Sequence, residues 1–263
     1  MLIRLGDERS VGIDRHLGWT LAAIAGALNA SGFYAVGLYS SNMTGNISSL
    51  ADHVALADLR ISATYLALVA IFVLGAGVSA LLINAGRRRQ IAFTYAFSIL
   101  AEAVLLIGLG CADLWLNGTG HDPLLAYGLS FLMGLQNAVV TRISNARVRT
   151  THVTGMLTDI GIELGNLADL LVHRDDQQGR EEVASFNKEK LWLHSLTVAA
   201  FLIGGVIGVL AYKQIGPYLL FATAGVLALL GLSGILTKRT GRATRHVANG
   251  SQTVSPEKVA VTR

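Results

Sequence analysis

Eight polar residues in two places of an apolar chain could do chemistry together: Asn29, Asn42, Thr44 and Asn46, then Gln136, Asn137, His152 and Thr154. Amides and hydroxyls in an apolar surround can replace the hydration of a small polar solute, but they supply little charge. The solute they suit is neutral, zwitterionic or singly charged. Inside a membrane the same groups also serve as packing glue between helices, for less than about 2 kcal/mol each. Glu102 stands in the middle of another apolar run. A carboxylate there is by default a proton carrier or a cation partner, and its plainer reading is a protonated or paired structural group. Asp159 and Glu163, four positions apart, share one helical face and are secondary candidates; a headgroup-facing helix would look the same. Catalytic signatures are absent: the chain has no Gly-x-Ser-x-Gly, no His-Glu-x-x-His and no phosphate-cradling loop, so a non-enzyme is expected. Cys111 is the one cysteine, and the seven histidines show no ligand spacing, so neither a metal nor another cofactor is expected.

The eight residues belong to a sequence that is written twice. Residues 40–50 read SSNMTGNISSL and residues 150–160 read TTHVTGMLTDI, in register through Thr44–Gly45 and Thr154–Gly155. Ser40 pairs with Thr150, Ser41 with Thr151, Met43 with Val153 and Ile47 with Leu157; Asn46 against Met156 is the clearest break. Upstream, Gly26-Ala-Leu-Asn29-Ala30 is echoed by Gly134-Leu-Gln-Asn137-Ala138. Two echoes in one apolar chain indicate a duplicated unit, a common plan among transport folds.

The elements that carry these residues are membrane spans. Hydrophobic residues make up 52% of the chain and charged residues 14%, and the apolar ones lie in runs at 17–39, 62–83, 91–110, 124–141, 191–212 and 217–236. Roughly 20 apolar residues cross a bilayer core as a helix, because a helix satisfies its own backbone hydrogen bonds there. Six such runs leave too little polar chain to cover a soluble core. Of the 21 Lys and Arg residues, all but Arg60 and Lys213 fall on one side of a six-span topology. Basic residues stay cytoplasmic, so both termini are expected inside. The net charge of +4 then reflects loops beside anionic lipid rather than nucleic-acid binding.

Residues 153–172 tempt a seventh span. Crossing there would move every basic residue from Arg174 onward, Lys213 apart, to the outside, and would bury Asp159, Glu163 and Asp169, at about 2.5–3.5 kcal/mol each. The segment reads instead as a turn followed by an amphipathic helix, as does its counterpart after Thr44, with Thr44 and Thr154 placed to cap the two helices. Three spans per unit is an odd number, so the second unit enters the membrane from the opposite side. The two Thr-Gly segments then approach one midplane from opposite faces. Glycines at 75, 77, 108, 110, 204, 205, 208, 225, 231 and 234 mark close helix packing or oligomer contacts.

The segments Ser41-Asn42-Met43-Thr44-Gly45-Asn46, Gly134-Leu135-Gln136-Asn137-Ala138 and Thr150-Thr151-His152-Val153-Thr154-Gly155 resemble the YoaK-like family of uncharacterised bacterial membrane proteins, over about 16–237. The resemblance implies a multi-span protein of the bacterial inner membrane, with no assigned substrate.

The expected fold is therefore an all-α integral membrane protein with six transmembrane helices. They form two inverted three-helix repeats, each with a short Thr-Gly segment and an amphipathic non-spanning helix. A cytoplasmic stretch at 1–16 precedes a single membrane domain at 17–237, with repeats at 17–112 and 124–237, and a polar tail follows at 238–263. The expected function is that of a secondary transporter or permease for a small solute. The alternatives are a membrane assembly or stress-related interaction protein and, less favoured, an intramembrane enzyme. The expected partners are the lipid bilayer, a small-molecule substrate and further copies of the chain.

Overall fold

The computed structural model describes residues 11–91, 94–116, 121–144, 150–172 and 186–233. The tail at 238–263 and most of the stretch at 1–16 lie outside the described residues, as do His173 and Asn117–Thr119. Among the described residues every regular element is helical. In chain order these are α1 (Val11–Val36), α2 (Met43–Ala55), α3 (Leu59–Arg88), α4 (Thr94–Trp115), α5 (His121–Ile143), α6 (Val153–Val172) and α7 (Lys188–Ile215). A shorter apolar helix, α8, covers Tyr218–Ser233.

Five of these helices, α1, α3, α4, α5 and α7, are long and apolar enough to cross a membrane. Their outer faces carry large exposed aliphatic side chains, such as Leu74 and Leu81 on α3, Val104 on α4, and Leu202, Ile207 and Leu210 on α7. A belt of that size would aggregate in water and is solvated by lipid chains. The inner faces meet in one core built on Leu21, Leu28, Ile99, Leu106, Met133 and Leu220.

Two close helix pairs, α1 with α7 and α3 with α5, organise that core. Each closes on glycine. A Cβ at Gly26 would overlap the Phe201 carbonyl oxygen, and one at Gly204 would overlap that of Ala23. The other pair repeats the arrangement: Gly134 faces the Phe72 carbonyl oxygen and Gly75 that of Phe131. Backbone therefore rests on backbone, which only glycine permits. Of the other glycines flagged by sequence, Gly208 abuts Ala27, whereas Gly77, Gly108 and Gly225 meet nothing within 4 Å.

Both pairs run parallel. Along α3 and α5, Ser130 donates to the Leu68 carbonyl at 2.8 Å and Arg142 reaches Asn84 Oδ1 at 3.3 Å, so residue numbers rise together. Along α1 and α7, Ala23 meets Gly204 and Ala27 meets Gly208. The remaining helices flank the pairs: α2 packs on α3, α6 on α7, and α1 touches α5 across the middle.

Candidate functional site

Both Thr-Gly segments fold the same way, and an asparagine explains why. Asn29, near the end of α1, turns its Oδ1 toward the chain that leaves the helix and accepts the Ser41 N–H at 2.9 Å. Asn137, near the end of α5, accepts the hydroxyls of Thr151 at 3.0 Å and Thr150 at 3.3 Å. Each segment is thereby drawn back over the helix it has just left, and a short helix starts immediately beyond. In α2 the cap is Asn42, whose Oδ1 accepts the Gly45 N–H at 3.1 Å. This corrects the expected role of Thr44: it sits inside the first turn, one position past the start of the helix at Met43. Thr154 stands likewise inside the first turn of α6, which begins at Val153. His152 occupies the position of Asn42, and its ring fills the space beside Gly155 that a Cβ would need.

Between the two segments lies a cavity of about 790 Å³. Six of the eight sequence candidates line it: Asn29, Asn42, Thr44, Asn137, His152 and Thr154. Phe72 on α3 and Phe201 on α7 form its apolar wall, and these are the residues whose carbonyls receive Gly134 and Gly26. Arg142, five residues beyond Asn137, also lines it. Sequence reading had counted Arg142 only as a cytoplasmic cation. It lies about 140° round α5 from Asn137, so helical spacing gave no signal of it. On the α1 side the positions matching Thr141 and Arg142 are Phe33 and Tyr34, and Phe33 stacks on Tyr39 at 4.1 Å.

Two candidates do not reach the cavity. Asn46 is buried and donates to the Tyr39 carbonyl at 3.1 Å, so it clamps the first segment instead of facing a solute. Gln136 is buried next to Asn137 but one position round the helix, about 100° away. Both of its amide atoms lack hydrogen-bond partners.

Glu102 belongs with Gln136. It is buried at 1% exposure on α4, does not line the cavity, and neither carboxyl oxygen has a partner. Leu109 packs over Gly128, and the two helices run antiparallel, so seven residues on, Glu102 comes level with Leu135 and Gln136. Thr94 packs against Gly86, which brings the same carboxyl level with Ser79 on α3, whose Oγ is also buried and unpartnered. Three unsatisfied polar groups, Glu102, Gln136 and Ser79, thus fall at about the same height in the bundle, and none of them lines the cavity.

Asp159 and Glu163 face α7, not the headgroups. Lys190 Nζ lies 2.9 Å from Asp159 and 3.7 Å from Glu163. Glu163 also accepts the Asn187 N–H at 2.8 Å, and His194 Nδ1 lies 3.4 Å from Asp159. The hydrogen bond from Lys190 holds the Asp159 carboxyl below the usual aspartate range. The pair fastens α6 to the start of α7 and takes no part in the cavity. Among the described residues no group of three or more His, Cys, Asp and Glu side chains is placed to hold a metal ion.

No curated protein and no solved structure matches the chain. A family profile does, over residues 17–233, a range that takes in every cavity-lining residue and both Thr-Gly segments. The chain belongs to the family described as Protein of unknown function (DUF1275).

Proposed function

We propose that this chain is a secondary transporter or permease for a small solute, built from two three-span units inverted about the membrane plane in the bacterial inner membrane. One observation carries the reading: the cavity wall is drawn in matched pairs from both halves of the chain. Asn29 and Asn137, Asn42 and His152, Thr44 and Thr154, and Phe72 and Phe201 all meet there. A central cavity lined by related, discontinuous segments is the plan on which alternating access is built.

Chain direction supports the topology. If α1, α3, α4, α5 and α7 cross in alternation, α1 runs parallel to α7 and α3 to α5. That is the observed sense of both pairs. A full crossing by α6 would make α1 and α7 antiparallel. The sixth span is α8, and the basic residues then keep both termini cytoplasmic. In this reading Glu102 is the proton or cation handle, acting through the polar layer it shares with Gln136 and Ser79 rather than by touching solute.

Metabolite profiling of a deletion strain, complemented with wild type or variants, tests the proposal. The expected result is a shifted level of a small solute, restored by wild type and not by Asn137→Ala. An unchanged profile, or full restoration by Asn137→Ala, would sink the transport reading. Phosphatase activity from a fusion at the C-terminus would sink the topology.

A further inference from the structure

The chemistry left open in the cavity narrows the solute, given the transport reading above for the site's purpose. Every amide oxygen in the wall is already used. Asn29 Oδ1 takes the Ser41 N–H, Asn42 Oδ1 takes the Gly45 N–H, and Asn137 Oδ1 takes two threonine hydroxyls. What remains is N–H donors, together with hydroxyls and the His152 ring, which can donate or accept. Asn29 is 7% exposed, lines the cavity, and its Nδ2 has no partner, because the Ser41 bond fixes the oxygen on the other side.

Backbone donors point the same way. The first turns of α2 and α6 both lie in the wall. In α2 the Gly45 N–H goes to the cap and the Met43 N–H to Ser41, which leaves Thr44. In α6 the first bonded backbone amide is Met156, to His152, which leaves Val153, Thr154 and Gly155, the first two of them in the lining. First-turn N–H groups and the positive end of the helix dipole favour an anion. The lining contains Arg142 and His152 and no Asp or Glu. A site with unpaired N–H donors, one cation and neither a carboxylate nor a free amide oxygen calls for negative charge. The apolar part of the wall, Phe72, Phe201, Met43 and Val153, calls for a carbon body as well.

We propose that the cavity binds a small organic monocarboxylate. Its carboxylate is held among Arg142, the Asn29 amide and the N-termini of α2 and α6, and its short apolar body lies against Phe72 and Phe201.

Three probes of one size and different charge test this on the purified full-length protein: butyrate, butyramide and butylammonium. Calorimetric titration should show butyrate binding and neither of the others. Arg142→Gln should weaken butyrate by about tenfold, the worth of one charge-assisted hydrogen bond. Arg142→Lys should recover most of that loss. Arg142 is exposed, so these variants should fold. Lys213→Gln, at a cation that sits over Tyr34 outside the cavity, should bind butyrate as wild type does. Butyramide binding as tightly as butyrate, no butyrate binding, or equal losses from Lys213→Gln and Arg142→Gln would each overturn the proposal. Flux in proteoliposomes separates the two readings. Butyrate that binds but never crosses keeps the ligand class and removes transport. Flux of a neutral or cationic solute, without butyrate binding, keeps transport and removes the ligand class.

Discussion

The two Thr-Gly segments share a path and differ in what holds them. In the first, Asn29 grips the backbone N–H of Ser41, and Asn46 grips the Tyr39 carbonyl. In the second, Asn137 grips two side-chain hydroxyls and spends its own amino group on the Met133 carbonyl. Beyond the turn the contrast reverses. Helix α2 leans on α3 with exposed Asp52 and partly exposed His53, whereas α6 is tied to α7 through Asp159, Glu163 and Lys190. The first segment is held at its turn by backbone bonds; the second is held farther along by charge. Matched positions therefore keep one geometry by different forces, and the forces respond to different perturbations.

The largest test concerns what the halves share. Gly26→Ala and Gly134→Ala each force a Cβ into a facing backbone carbonyl. Both should destabilise strongly and alike, by about 1–3 kcal/mol or more. Gly77→Ala, which meets open space, should be near neutral in the same thermal unfolding assay in detergent. A large gap between the two glycine variants would break the likeness of the halves.

Next come the asparagines. Asn29→Ala strands the N–H of Ser41, a buried residue, and should cost about 1–3 kcal/mol. Asn137→Ala strands no backbone group: it releases the Thr151 hydroxyl, which lines the cavity, and the weaker bond from buried Thr150, and should cost about 0.5–1.5 kcal/mol. The reverse order would mean that the backbone latch is not what holds the first segment.

Acid should act more on the second half, since in the first the His53–Asp58 contact is long, at 3.9 Å, and partly exposed. The Asp159 carboxyl is lowered by Lys190 and, more weakly, by His194 and His152. A depressed carboxyl contributes stability that is fully present above its ordinary value of 3.8 and is lost as pH falls through the lowered one. Hydrogen exchange should therefore rise in α6 below about pH 4, with α2 changing less. Equal loss of protection in both helices would remove the charge asymmetry. The smallest effect is expected from Asp52→Asn, within about 0.5 kcal/mol, against a larger loss for Asp159→Asn. Equal losses would carry the same message.

Much of this was legible in the sequence. The apolar runs located the five long helices, and the echo located both turns, because spacing and residue type alone decide those features. Asn137 and Gln136 show where legibility ends: adjacent letters lie on different faces of one helix, and only packing decides which face meets a cavity. Thr44 was read as a cap because its type allows it, but Asn42 takes that place two residues earlier. Glu102 was recognisable as anomalous, while its level with Gln136 and Ser79 depends on how α3, α4 and α5 pack. Phe72 and Phe201 carried no visible echo of their own; the glycines three residues after each, Gly75 and Gly204, were the trace.

Those glycine crossings also dictate how the molecule can move. Side chains packed between helices act as bearings, yielding by a change of rotamer. Where Gly26 lies on Phe201, and Gly134 on Phe72, there is no bearing to turn. Each crossing is a weld, so α1 with α7 and α3 with α5 travel as two solid pieces. The seam between them is the α1–α5 contact, where Gly32 faces a side chain, Leu129, and not a carbonyl. If the chain transports as proposed, the motion that bares the cavity to one side and then the other would hinge along that seam.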